Sequence, residues 1–265
     1  MKKILLILLA SLLCFAGCEA VEPQTQEVVG TDGLQYEITS DSTGYIVTGY
    51  IGSEKDIVIP ENYESLPVVE IKSSSFYENQ DIESVYISSN VKKVGDKAFS
   101  NCYNLKTIFF NEGLNEIGAN AFAGTIVEKV VLPKSVTLID QFAFASTRHL
   151  HYVKINNPEV EIRPWAFDVS KYLNSPQNWS KSGLYIDNIL VLMPSSFYPE
   201  NYIHQMNSTI TTREGIETIS WGVLRSNRFV ANVIIAEGTV TIFGKFATSC
   251  ESLVSISLPN TLEYI

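Results

Sequence analysis

Ile82-x-x-Val85-x-Ile87, Val91-x-x-Val94, Ala98-Phe99 is the first of three successive turns of one repeat in residues 82–144. The second reads Leu105-x-x-Ile108-x-Phe110, Leu114-x-x-Ile117, Ala121-Phe122. The third reads Val127-x-x-Val130-x-Leu132, Val136-x-x-Ile139, Ala143-Phe144. Outward from this stretch, Phe76, Phe99, Phe122, Phe144 and Phe167 stand 23, 23, 22 and 23 residues apart. Within each turn the apolar residues of I-x-L are two apart, so they share one face of a strand. Repetition stacks each on its equivalent, roughly 4.8 Å along an axis. The Ala-Phe pair supplies a small residue where the chain turns tightly and a large one that fills the core beside it. A lone rung cannot bury its apolar edge, so neighbours share the stability of a one-dimensional stack.

A fixed period in the twenties with an L-x-x-L-x-L core signals a leucine-rich-repeat solenoid, mainly β, here of about eight rungs. Taking the middle apolar residue of each rung as a marker gives Ile57, Val85, Ile108, Val130, Val153, Ile189, Val233 and Ile256. The first gap of 28 fits an added loop at Glu61–Ser65. The gaps of 36 and 44 exceed two periods by 34, read as two insertions within one rung spanning residues 168–215. Before the first rung, residues 34–54 alternate around a turn-rich cluster and predict a hairpin that caps the open end. Ile265 occupies the slot of Ile242 and Ile219 with no Ala-Phe to follow, so the last rung reads as incomplete and the chain as a fragment of a longer array. No asparagine ladder is evident in the repeats.

With 45% hydrophobic and 18% charged residues, the chain can bury a sizeable core. Its net charge is −10, and −12 once Lys2 and Lys3 leave with a leader that holds no acids. Nucleic acid and anionic lipid surfaces need a basic footprint and are excluded as partners on this ground. Residues 1–17 pair that basic start with an apolar run too short for a comfortable span, the layout of a signal peptide. The run ends Phe15-Ala16-Gly17-Cys18, which resembles the bacterial lipobox, with Phe15 in place of the usual Leu. The resemblance implies cleavage before Cys18 and lipid attachment there, so the membrane is a partner only through the N-terminal lipid. Residues 18–33 read as a flexible acidic tether, and 34–265 as the repeat domain.

Cys102 and Cys250 share one repeat position but lie six markers apart, far beyond the ~7 Å that a disulfide allows, and read as structural thiols. His149 and His151 share a strand face, yet no third ligand stands at a matching spacing, so no metal is expected. There is no P-loop, G-x-G-x-x-G, G-x-S-x-G or H-E-x-x-H, and no cofactor is expected. Asp41-Ser42-Thr43 resembles a short O-glycosylation sequon of bacterial envelope proteins and equally reads as a hairpin turn. The outward position of I-x-L runs Val58, Tyr86, Phe109, Val131, Lys154, Leu190, Ile234, Ser257. Two readings of this apolar stripe stand even: simple strand preference, or a protein-binding surface. Tyr172, Trp179, Phe197, Tyr198, Tyr202 and His204 lie in the insertions, where aromatics suit ligand contact, though some must anchor the loops.

The full motif, L-x-x-I-x-L(P) then V-x-x-I-x4-F with Asn-Cys or Ser-Cys after some phenylalanines, resembles the BspA-like (Treponema pallidum type) leucine-rich repeats. It covers roughly residues 55–265, with Val130-Val131-Leu132-Pro133 and Ile256-Ser257-Leu258-Pro259 carrying the apolar-Pro ending. Val223-Leu224 and Phe246-Ala247 depart from the turn pair. The resemblance implies a secreted or cell-surface protein engaged in adhesion and protein binding. The expectation is a non-enzymatic, lipid-anchored envelope protein that binds an extracellular protein or glycan through Tyr86, Phe109, Val131 and the insertion aromatics. The alternative is a carbohydrate-active enzyme or glycan-binding accessory protein on the same scaffold.

Overall fold

The structure, a computed structural model, describes residues 28–193 and 209–265. The expected leader, Cys18, most of the tether, and Phe197, Tyr198, Tyr202 and His204 lie outside the described residues. The first elements are β1 (Leu34–Ile38) and β2 (Tyr45–Tyr50), an antiparallel hairpin. Then come β3 (Asp56–Ile59), β4 (Asn62–Tyr63) and β5 (Leu66–Ile71). Regular rungs follow, each with a four-residue and a two-residue strand: β6 (Ser84–Ile87) and β7 (Lys93–Val94), then β8 (Thr107–Phe110) and β9 (Glu116–Ile117). Two more are β10 (Lys129–Leu132) with β11 (Leu138–Ile139), and β12 (Tyr152–Ile155) with β13 (Glu161–Ile162).

The insertion carries one helical turn, α1 (Lys171–Asn174), and the strands β14 (Trp179–Ser180), β15 (Gly183–Ile186) and β16 (Ile189–Leu192). The stack resumes with β17 (Thr209–Thr211), β18 (Thr218–Ile219), β19 (Asn232–Ile234), β20 (Thr241–Ile242) and β21 (Ser255–Ser257). Long strands pair in parallel with long strands and short with short, as the I-x-L and V-x-x-I slots require. The terminal hairpin heads the short-strand sheet, with β2 parallel to β5. Among the described residues, no helix is long and apolar enough to cross a membrane.

The turn between a short strand and the next long strand explains the Ala-Phe pair. Residues just before the Ala slot, Ser74, Lys97, Asn120, Phe142, Trp165, Gly222 and Lys245, have φ between 55° and 65°. Four positions later, Glu78, Asn101, Gly124, Ser146, Val169, Ser226 and Ser249 do so again, between 54° and 75°. Two left-handed residues per rung reverse the chain around the buried ring and hold it inward. The rings of Phe76, Phe99, Phe122, Phe144 and Phe167 are all buried and near-parallel, with successive centroids 4.7, 5.3, 5.4 and 5.5 Å apart. Backbone N–H groups of each turn donate to the next one, as in Lys97 to Ala119, Phe99 to Ala121 and Asn101 to Ala123, at 2.7–2.8 Å. A partial polar ladder, missed in the sequence, runs along the exits of the long strands. Ser88 Oγ donates to Pro60 O, Asn111 Nδ2 to Ile87 O and Asn156 Nδ2 to Leu132 O, at 2.7, 2.7 and 2.9 Å.

One register expectation is corrected. Ile189 is not a long-strand marker and Leu190 does not face outward. β16 pairs with the short strand β18, Leu190 opposite Ile219, and Leu190 is fully buried. The long strand of that rung is β17, with Ile210 opposite Val233. The run Ile189-Leu190-Val191-Leu192 is apolar throughout, so its alternation could not distinguish the two faces, and a one-residue slip exchanges them. The 34 extra residues therefore form one insertion, between Phe167 and β17, rather than two. Its β15–β16 hairpin bridges two cores: Ile186 and Ile189 pack with the N-terminal cluster, Tyr185 and Leu190 with the C-terminal one.

Candidate binding surface

The rung from Phe122 to Phe144 is the short one, and the residue it lacks falls in the turn. Leu105 follows Phe99 by six positions, whereas Val127 follows Phe122 by five. Directly after this shortening the long-strand ladder breaks: β3-β6-β8 form one sheet and β10-β12 another. The two rungs are joined before the strands by Ile126 N to Leu105 O at 3.1 Å and Glu128 N to Lys106 O at 3.4 Å, and after them by Lys134 N and Ser135 N donating to the Glu112 carboxylate at 3.1 and 3.2 Å. The misfit opens a cleft of about 570 Å³ over the strand faces.

This cleft gathers three residues singled out from the sequence: Tyr86, Phe109 and Val131 all line it. Phe109 and Val131 are 37% and 47% exposed, so the middle of the apolar stripe is uncovered. Lys106 bridges Glu128 at 3.2 Å on the rim, and Lys129 is exposed beside them. Both partners of that ion pair are largely solvated, so the pair adds little to stability. The cleft thus has an aromatic and aliphatic floor with a rim richer in cations than the acidic chain as a whole. Its lining contains one carboxylate, Glu128, whereas glycoside hydrolysis calls for a facing pair. Lys106 and Lys129 were not singled out from the sequence; the 22-residue spacing was the signal that marks their rung.

The insertion aromatics are placed differently. Trp179 is 6% exposed, and its indole Nε1–H donates to Leu173 O at 2.7 Å. Tyr172 is half-buried, and its hydroxyl donates to Tyr185 O at 3.2 Å. Both anchor the insertion on a small core with Leu173 and Leu184, which corrects their expected place on an open ligand-binding surface. Their polar atoms reach carbonyls that the irregular loop leaves free, and this is why amphipathic rings stand there.

Cys102 and Cys250 are free thiols that do one structural task. Cys102 Sγ donates to Phe76 O at 3.0 Å, and Cys250 Sγ to the equivalent Leu224 O at 2.8 Å. Burial pushes the Cys102 thiol up to about 12, and raises that of half-buried Cys250 as well. His149 and His151 are exposed, with His151 Nδ1 3.1 Å from His149 O. Among the described residues, no group of three or more His, Cys, Asp or Glu side chains is arranged to hold a metal ion.

Comparison with known proteins adds the following. The sequence model for the BspA type leucine rich repeat region matches in six copies, over residues 69–186 and 195–265. No curated protein matches the chain. Among solved structures, the leucine rich repeat protein of T. pallidum is 22% identical, with a TM-score of 0.47 over 88% of this chain and 83% of that one. The pneumococcal vaccine antigen PcpA is 19% identical, with a TM-score of 0.48 over 90% and 72%. A leucine rich cell surface protein of Faecalibacterium prausnitzii is 17% identical, with a TM-score of 0.44 over 88% and 77%.

Proposed function

The chain belongs to the BspA-type leucine-rich-repeat family, and from that premise we propose that it is a non-enzymatic bacterial cell-envelope protein that binds an extracellular protein in adhesion or host interaction. The observation that carries the reading is the cleft between β8 and β10, where exposed Phe109 and Val131 with half-buried Tyr86 form an apolar floor on a rigid stack. Exposed apolar surface on an otherwise well-packed chain marks a protein contact, and a solenoid presents it without the entropy cost of ordering a loop. In the same reading, Cys18 carries the lipid that holds the domain at the membrane, with residues 18–33 as tether. The lipobox-like Ala16-Gly17-Cys18 supports this anchor.

The test uses Phe109→Lys with Val131→Lys, both exposed positions whose change should leave folding intact. Binding of wild type and variant is measured on immobilised extracellular-matrix proteins, epithelial cells and a glycan array. Loss of about tenfold or more in affinity for a protein partner, a cost of about 1.4 kcal/mol or more, supports the reading. Unchanged binding by the variant, selective retention on glycans, or turnover of a polysaccharide by the purified chain would each sink it. Palmitate labelling tests the anchor separately: incorporation that survives Cys18→Ala removes it.

A further inference from the structure

Charge is unevenly placed around the β8–β10 cleft. On its N-terminal side, Lys55 is bridged to Glu83, and Asp56 accepts from Ser84 Oγ at 2.6 Å. On its C-terminal side stand Lys129 and Lys154, both exposed. Lys154 lies directly opposite Val131, and Lys129 opposite Tyr152, which is 45% exposed. Neither lysine has an ion-pair partner among the described residues. The carboxylates that adjoin them are engaged elsewhere: Glu128 bridges Lys106 at 3.2 Å, and Asp187 accepts from Ile155 N at 2.9 Å. Two uncompensated cations thus border the apolar floor on one side only, in a chain whose net charge is −10.

A second cleft, of about 400 Å³, lies beside the insertion at Trp165 and Trp221, and its cations are engaged. Arg163 bridges Asp140 at 2.9 Å and Glu161 at 3.1 Å, and the Arg225 guanidinium lies over the Trp165 ring, 4.5 Å from its centroid. At the β8–β10 cleft the lysines are instead free to meet a partner, and the strand lattice sets their distances. Strand spacing puts Lys154 about 10 Å from Phe109, and Lys129 lies about 7 Å from Val131 along β10. An extended chain advances about 3.3 Å per residue, so two or three residues span from the floor to either lysine.

We propose that the cleft binds an extended acidic segment of a protein partner, with an aromatic or branched side chain between Phe109 and Val131 and an aspartate or glutamate two or three positions away meeting Lys129 and Lys154. The inference rests on the protein-binding reading above and adds to it the partner's chemistry and orientation, acidic end towards β12. The apolar floor supplies the anchor, where side chains are desolvated and most affinity arises. The solvated lysines contribute orientation and association rate more than affinity. Repulsion from the acidic remainder of the chain keeps such a segment off its other faces. An anionic polysaccharide would satisfy the lysines but leave the apolar floor without a partner.

Three probes test it: acetyl-Ser-Trp-Ser-Asp-Glu-Ser-amide, a neutral form with Asn-Gln for Asp-Glu, and an acidic form with Ala for Trp. NMR titration of the isotope-labelled chain measures affinity and locates it through amide shifts at Phe109, Val131 and Lys154. The first peptide should bind with a Kd of about 0.1–1 mM, and the other two about fivefold or more weakly. Raising salt from about 50 to 500 mM should weaken the first about threefold and spare the neutral form. Lys129→Glu with Lys154→Glu, both exposed, should reverse the preference, so that a Lys-Lys form binds better than Asp-Glu. Phe109→Ser with Val131→Ser, which alters no charge, should weaken both Trp peptides about tenfold. Equal binding of the acidic and neutral Trp peptides, still lost in the serine variant, would overturn this proposal and leave the protein-binding reading standing. Peptide binding indifferent to the serine variant would overturn both. No saturable binding of the first peptide up to about 10 mM, or tighter lysine-dependent binding of polygalacturonate than of any peptide, would also overturn the proposal.

Discussion

Phe122 and Phe167 provide a differential test of the ring ladder. Both are buried, at 0% and 2% exposure, so truncation to alanine removes nearly the same apolar area from the core. Their ring partners differ. Phe122 lies between Phe99 at 5.3 Å and Phe144 at 5.4 Å, with Phe110 edge-on at 5.7 Å. Among the described residues, Phe167 ends the ladder and stacks on Phe144 alone, at 5.5 Å. Cavity formation costs about 3–5 kcal/mol for a buried phenylalanine. Each aromatic pair adds about 0.5–1.5 kcal/mol beyond its area. Two further pairs put the loss for Phe122→Ala above that for Phe167→Ala by about 1–3 kcal/mol. Urea unfolding of each variant, followed by circular dichroism, gives the two losses. The two-core arrangement adds a second readout: Trp221, in the C-terminal segment, should report a midpoint moved less than the circular-dichroism midpoint in Phe122→Ala, because solenoid stability is shared between nearest neighbours. Equal losses, or a larger loss at Phe167, would refute the ladder as a stabilising unit.

Other expectations concern thiols, turns and the short rung. Cys102 should resist alkylation at pH 8 in the folded chain while half-buried Cys250 reacts slowly, as mass spectrometry after timed iodoacetamide treatment would show. Because burial raises the Cys102 thiol to about 12 from an unfolded value near 9, its contribution is fully present below pH 9. That contribution is lost as pH rises towards 12, and Cys102→Ser should flatten the alkaline limb of a stability–pH curve. Val169 holds φ of 54° with a β-branched side chain, in the slot where Asn101 and Gly124 sit without difficulty. Left-handed backbone costs an ordinary residue about 1–2 kcal/mol, and the side chain is 41% exposed, so Val169→Asn should stabilise by about 0.5–1 kcal/mol in thermal melts. Inserting one residue after Gly124 should restore the 23-residue spacing, rejoin β8 to β10 and raise the melting temperature. Partner binding at Phe109 and Val131 should fall with it.

Legibility followed periodicity. The pairing of long with long and short with short strands could be read from the I-x-L and V-x-x-I slots, and the five phenylalanines from their spacing. The outward placement of Tyr86, Phe109 and Val131 came from the same alternation. Ile189 to Leu192 was misread because four apolar residues in a row carry no face, and only pairing with β18 settles which of them is buried. Trp179 and Tyr172 were placed on open loops because a sequence shows that a ring lies in an insertion but not which carbonyl its polar atom will find. The asparagines of the exit ladder were overlooked because serine and proline share their slot: Pro60, Ser88, Asn111, Pro133 and Asn156 are one position. The bond from Trp221 N to Ile162 O joins turns 59 residues apart in the chain, which no residue type announces.

Both clefts arise where the count departs from 23, and the reason is geometric. In a regular stack every outward side chain has an equivalent roughly 4.8 Å above and below it, and every turn N–H has a carbonyl opposite. Such a surface is a flat ribbon without concavity, and its backbone has nothing left to offer. Removing one residue before Val127 shifts a strand against its neighbour and converts the ribbon into a cleft between Phe109 and Val131. Adding 34 residues after Phe167 leaves the two flanking turns joined by Trp221 N to Ile162 O at 3.3 Å, with a cleft of about 400 Å³ beside them. The regular rungs matter to both, since a stack in which each ring is gripped by the next can tolerate a local misfit without collapsing into it. Selection for a new partner in such a scaffold can therefore act on the length of a turn, while leaving the buried Ile, Val, Leu and Phe positions unchanged.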